Sequence, residues 1–244
     1  MSWLGILLVG FAVTDLTHSV HRTRYLPECV GALTVLVVGA LAGLTSGRDV
    51  VALLVVAVVV LLWGLTVTWG FGHPGPKPAR VPLAVFVLAL TTAVACSGLA
   101  AEASGLLERW LDSVQLPALE DMEADRFLLL LGAFAVQLAT GNVLVRLVLK
   151  STGTINPRAD GQMPPTQLKG GRLLGPLERV FILALALAGQ VTAASVVVAA
   201  KGLLRFPELS SRDEQQTVHE MTEYFLLGSF ASWLVALGAF VLLV

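Results

Sequence analysis

Asp15 and His18 sit in the first apolar run of this 244-residue chain, Gln137 and Asn142 in the fifth, and Gln190 in the sixth. A carboxylate inside a long apolar run is costly unless it is paired, protonated or reached by water. Amide side chains at that depth need hydrogen-bond partners and face the interior of a helix bundle. If these residues meet, they form either polar glue between helices or a binding site. Asp15, His18 and His21 have a D-x-x-H-x-x-H spacing. They spread over about 120° of a helix circumference, and no fourth ligand is apparent, so no metal is assigned. G-x-S-x-G, H-E-x-x-H and C-x-x-C are absent. No cofactor is implied.

A second set of candidates is charged and lies toward the C-terminus. Lys169 and Arg172 flank the glycines of "KGGR" ahead of a helix start, a cradle for a phosphate or an anionic lipid head group. It lacks the G-x-x-x-x-G-K-[ST] order of a P-loop. Glu178 and Arg179 follow Pro176, which suits a first helical turn. Arg179 and Lys201 are about 22 positions apart, or about 33 Å of helix. They read as anchors at the two edges of one span. Lys201 and Arg205 share one helix face, and so do His219 and Glu223. The short connection between them predicts an ion-pair cluster that fixes a C-terminal hairpin.

The elements that carry these residues are membrane-spanning helices. The chain is 56% hydrophobic and 14% charged, with a mean hydropathy of +0.81, whereas soluble domains average about 25% charged. Runs near the length needed to cross a bilayer occur at 3–20, 29–44, 50–71, 81–101, 127–149, 176–204 and 225–244. This predicts an all-α polytopic bundle of about seven spans. Trp3–Val20 lacks a basic leader and a small-residue cleavage site, so it reads as a retained span. A five-span part (1–149) contains the acidic stretch 102–126. There Leu106, Leu107, Trp110 and Leu111 recur at helical spacing, which places the first half along the membrane surface. A polar loop (150–175) and a two-helix hairpin (176–244) complete the chain.

The net charge of −1 gives no basic stripe for nucleic acid. Cys29 and Cys96 fall near opposite faces, too far apart for a disulfide. With the N-terminus outside, the cytoplasmic connections carry Arg22, Arg24, Lys77, Arg80, Arg146, Lys150, Arg158, Lys169, Arg172 and Arg179. The opposite side carries Arg48, Arg109, Arg126, Lys201, Arg205 and Arg212. The positive-inside rule then favours N-terminus out and C-terminus in. "FAVTDLTHSV" also aligns with "FAVQLATGNV", and Glu28-x-Val30-x-x-Leu33 with Glu178-x-Val180-x-x-Leu183. Such matches predict two parallel three-helix units, as some transporters have.

"GGRLLGPLERVFI", "GQ", "AAKGLLRF" and "EYFLLGSF" together resemble the C-terminal pattern of an uncharacterised bacterial inner-membrane family, a domain of unknown function. The resemblance covers about a third of the chain, and the family's N-terminal His-x-x-x-Asp-Phe feature is only half matched, by Phe11 and Asp15. It implies a bacterial inner-membrane location and marks Arg172, Glu178, Arg179, Gln190, Lys201, Arg205 and Glu223. The expectation is a protein that binds or moves a small solute or lipid through a polar interior site. An enzyme on a prenyl or lipid substrate, using Asp15, His18 or Glu178 for acid–base work, is the first alternative. A non-catalytic partner subunit is the second. The bilayer and an anionic lipid or small molecule are the expected partners; the sequence does not name a protein partner.

Overall fold

The computed structural model describes residues 1–154, 171–197, 199–200 and 215–244, apart from Arg22, Arg24, Gln115, Ala118 and Glu120. At 171–172 and 215–221 it describes the backbone alone. Among these residues every regular element is helical. The order is α1 (Ser2–Val20), α2 (Leu26–Leu41), α3 (Gly47–Gly72), α4 (Lys77–Ala95), α5 (Leu106–Ser113), α6 (Ala124–Leu138), α7 (Thr140–Thr152) and α8 (Gly171–Leu187). A short stretch over 191–197 (α9) and α10 (Gln215–Leu243) follow.

Local chemistry sets several of these boundaries. The Ser46 hydroxyl accepts from the Asp49 amide at 3.2 Å and caps the start of α3. Pro27 occupies the first turn of α2, where its missing N–H costs nothing. At the far end of α3 the chain turns through Gly75 in the left-handed region (φ 84°), and α4 begins. In the acidic connection, α5 is amphipathic as expected: Leu111 is buried and Trp110 lies 5.7 Å from Phe127 between ring centroids.

Among the described residues, four helical segments are long and apolar enough to cross a membrane: α1, α3, α4 and the Thr222–Leu243 part of α10. The pair α6 and α7 makes a fifth if its 51° bend is counted within one span. The chain is thus an all-helical protein whose apolar helices suit a membrane. The expected continuous fifth span is therefore broken at Ala139. The sixth is broken too: α8 ends at Leu187, and Gly189 adopts φ 72° before the helix resumes. The start expected at Pro176 lies instead at Gly171, leaving Pro176 inside α8.

α1 is the hub. It packs on α2, α3, α4, α6 and α7, and 67% of its apolar window is buried, against 17% for α4. The aromatic rings of Phe11, Trp63 and Phe86 meet at 5.3–5.5 Å between centroids. Against α6 the approach is backbone to backbone. A Cβ on Gly5 would stand 2.8 Å from the Leu128 carbonyl carbon, and one on Gly132 would stand 2.8 Å from the Gly5 oxygen. Small residues at such a crossing let dispersion and close packing replace the hydrophobic drive that lipid removes.

The helix ends sort into two groups. At one end the Met1 ammonium pairs with Asp125 at 2.9 Å, the Ser2 hydroxyl donates to the Ala101 carbonyl, and the Ser104 amide donates to Ala42. At the other end the Lys150 ammonium donates to the carbonyls of Gly70 (2.8 Å), Phe71 (3.3 Å) and His73 (2.7 Å). Lys150 thereby caps the C-terminus of α3, where the helix dipole favours a cation. Cys29 and Cys96 are free and belong to opposite groups.

The two C-terminal helices overturn the expected path. Glu178 bonds to Trp233, Arg179 to Ser232, and Leu183 clusters with Ala239, so α8 and α10 run parallel. Tyr224 shares a cavity with Lys150, whereas Leu242 and Leu243 pack on Leu4, Leu8 and Leu129. The C-terminus therefore lies at the same end as the N-terminus. The expected N-terminus out and C-terminus in arrangement would put the termini at opposite ends, and the run read as one crossing contains the turn at Gly189. The three-helix repeat also stops short: α2 and α3 are antiparallel, with Gly39 at Leu53 and Gly64 at Glu28, whereas α8 and α10 are parallel.

Candidate functional site

The break between α6 and α7 supplies the site. A helix leaves its last carbonyls without intrahelical donors, and in a membrane that loss must be made good by protein. The sequence "LATGN" (Leu138–Asn142) ends α6 and restarts the chain at Thr140. Arg179 of α8 fills the gap. Its Nε donates to the Gln137 carbonyl at 3.1 Å and its Nη2 to the same oxygen at 2.9 Å. Nη2 also donates to Asn142 Oδ1 at 2.7 Å, and Nη1 donates to Ser232 Oγ at 3.1 Å. Gly141 makes room for the guanidinium, since a Cβ there would stand 2.6 Å from Arg179 Nε.

Arg179 is 1% exposed. The expectation that it anchors a helix end is corrected. Because α8 starts at Gly171, Arg179 falls in its third turn and faces inward. Its neighbour Glu178 is 7% exposed and accepts from Trp233 Nε1 at 3.1 Å.

On the α1 side of the same layer, the Asp15 carboxylate is 7% exposed. It takes one indole N–H, from Trp63, shared between its oxygens at 3.3 and 3.2 Å. The Thr140 hydroxyl faces that carboxylate without reaching hydrogen-bond geometry. Gln137 Nε2 donates to the Ala133 carbonyl at 3.1 Å, while its Oε1 is buried without a protein donor. Glu28, on the first turn of α2, is also buried, with one carboxylate oxygen lacking a protein donor. The helix N-terminus is the electrostatically favourable place for it. The layer is therefore rich in oxygen acceptors, while Arg179 directs four N–H groups to Gln137, Asn142 and Ser232.

Of the residues singled out in the sequence, Gln137, Asn142, Glu178 and Arg179 come together, and Asp15 joins through Thr140. His18 and His21 are exposed at the end of α1, away from buried Asp15, so the D-x-x-H-x-x-H residues do not converge. No group of three metal-binding side chains occurs among the described residues. Gln190 is exposed at the helix break. The reading that it points into the bundle is corrected, because Gly189 takes it out of the helical register. Glu223 is exposed. Arg172 and His219 lie on helices whose side chains there are not described, and Lys169, Lys201 and Arg205 fall outside the described residues. The expected pairing of Lys201 and Arg205 with Glu223 therefore also lies outside the described residues.

Trp63, Thr140, Ser232 and Trp233 were not legible as site residues, being ordinary members of apolar runs. Only "TGN" after an apolar stretch hinted at the break. The fold and site define an all-helical chain with membrane-compatible helices and a buried polar layer at a broken helix. No protein-family model, curated protein or solved structure matches it.

Proposed function

We propose that this is an integral protein of the bacterial inner membrane that binds or transports a small solute or lipid through a polar interior site. The site is the layer of Asp15, Thr140, Gln137 and Asn142 at the α6 and α7 break. One observation carries the reading: the buried oxygens of Gln137 and Thr140 lack protein donors while the Asp15 carboxylate receives only one. Acceptors gathered at a discontinuous helix suit a cation or a solute bearing N–H or O–H groups, because half-helix C-terminal ends and carboxylates favour positive charge. The family resemblance in the C-terminal third supports the same membrane.

We further infer that α2 and α8 enter the membrane with the other apolar helices. Termini at one end require an even number of crossings, which replaces the expected seven. Among the described residues, Lys77, Arg80, Arg146 and Lys150 belong to the α3 C-terminal end, against Arg48, Arg109 and Arg126 at the other. The positive-inside rule makes that end cytoplasmic and both termini external.

Mass spectrometry of molecules that co-purify with wild-type and Asp15→Asn protein tests the function. A species retained by the wild type and lost from the variant supports it. Identical co-purifying profiles for two equally folded proteins overturn it.

A further inference from the structure

A second site, separate from the interior layer, lies at the α3 C-terminal end. A cavity of about 400 Å³ is lined by Phe71, Gly75, Pro76, Arg146, Lys150 and Tyr224, among others. Arg146 and Lys150 are four residues apart on α7 and so share one face. Both cations meet the Phe71 ring: Arg146 Cζ stands 4.8 Å from its centroid and Lys150 Nζ 5.9 Å. Lys150 is held by three backbone carbonyls and acts as a fixed positive charge. Arg146 differs. It is exposed, no carboxylate pairs with it among the described residues, and no protein acceptor takes its N–H groups there.

A guanidinium seated over an aromatic ring is orientationally restrained. Its N–H fork is left for a planar or tetrahedral oxyanion. The half-buried Tyr224, the phenol of the set, lines the same cavity. Depth adds the last constraint. Trp69 is 45% exposed and lies 4.8 Å from His73 between ring centroids, and exposed tryptophan marks the interface between hydrocarbon and head groups. We propose that this cavity binds a phosphoryl oxyanion, with Arg146 as the bidentate donor, Tyr224 as the hydroxyl donor and Lys150 as the fixed counter-charge.

The test uses the purified full-length protein in neutral detergent, titrated with short-chain phosphatidylglycerol, short-chain phosphatidylcholine or inorganic phosphate. Binding is read by native mass spectrometry and thermal shift. Wild type is expected to bind phosphatidylglycerol more tightly than phosphatidylcholine, and high salt to weaken that binding. Arg146→Ala is expected to weaken it about tenfold or more, and Tyr224→Phe less, because charge-assisted bidentate bonds are the stronger kind. Inorganic phosphate that competes with the lipid and depends on Arg146 identifies a soluble phosphate as the source. Phosphate without effect identifies the lipid head group. If Arg146→Ala does not fold, Arg146→Lys and Tyr224→Phe carry the comparison. Folded variants that bind every probe as the wild type does overturn the site.

Discussion

The Arg179 guanidinium caps the Gln137 carbonyl, with Nε at 3.1 Å and Nη2 at 2.9 Å from one oxygen. The contact explains how a membrane bundle tolerates a buried arginine: the end of α6 offers the negative pole of a helix dipole. Arg179→Met should leave the Gln137 carbonyl and the Asn142 oxygen short of donors and destabilise by about 1–3 kcal/mol. Arg179→Lys should cost a comparable amount, since one ammonium lacks the fork that bridges Gln137, Asn142 and Ser232. Equilibrium unfolding in detergent measures both, and a Lys variant as stable as wild type would remove the capping argument.

The crossing of α1 and α6 depends on two hydrogens. Gly5→Ala or Gly132→Ala should separate the helices and cost about 1–3 kcal/mol, as overpacking does. A Cβ on Gly238 would have nothing within 4 Å, so Gly238→Ala should be neutral or stabilise by up to about 1 kcal/mol. Thermal midpoints of the three variants decide the matter. Equal losses at all three positions would mean that helix propensity, not contact, is being read.

Asp15 and Trp63 are in direct hydrogen-bond contact in the buried layer, so their coupling is measurable by a double-mutant cycle. Trp63→Phe should destabilise by about 1–3 kcal/mol by removing the carboxylate's donor. In the Asp15→Asn background the same change should cost less, a coupling on the order of 0.5–3 kcal/mol. A coupling of zero would separate Asp15 from the aromatic core.

Both termini should report from one side of the membrane. Tags placed before Met1 and after Val244 are expected to give the same accessibility to an impermeant reagent in intact cells. A tag between Gly153 and Thr154 is expected to give the opposite one. Terminal tags on opposite sides would restore the alternating path and contradict the parallel run of α8 and α10.

Polarity within apolar runs made much of the site legible. Asp15, Gln137, Asn142, Glu178 and Arg179 stand out because little else in their runs can hydrogen-bond. Their depth was harder to read. Hydropathy runs through Gly189 and through Ala139–Thr140 without interruption, so two broken helices looked continuous. Gln190 was thereby drawn inward and Arg179 outward. Direction was equally hidden, because a run of about 29 apolar residues can be one tilted span or a turn with two arms. Trp63, Ser232 and Trp233 became site residues only through neighbours distant in sequence.

The central place of α1 has a consequence for the order of assembly. α1 is made well before α6 and keeps most of its surface for protein, yet its chief contacts at Gly5 are with Leu128 and Gly132. The Met1 pairing with Asp125 spans 124 residues. Until α6 is synthesised, the glycine face of α1 can meet only lipid, α2, α3 and α4. The nascent chain must therefore hold α1 loosely and close the bundle around it late. Changes on that face should show first as slow maturation or degradation of newly made protein, before any loss appears in the finished one.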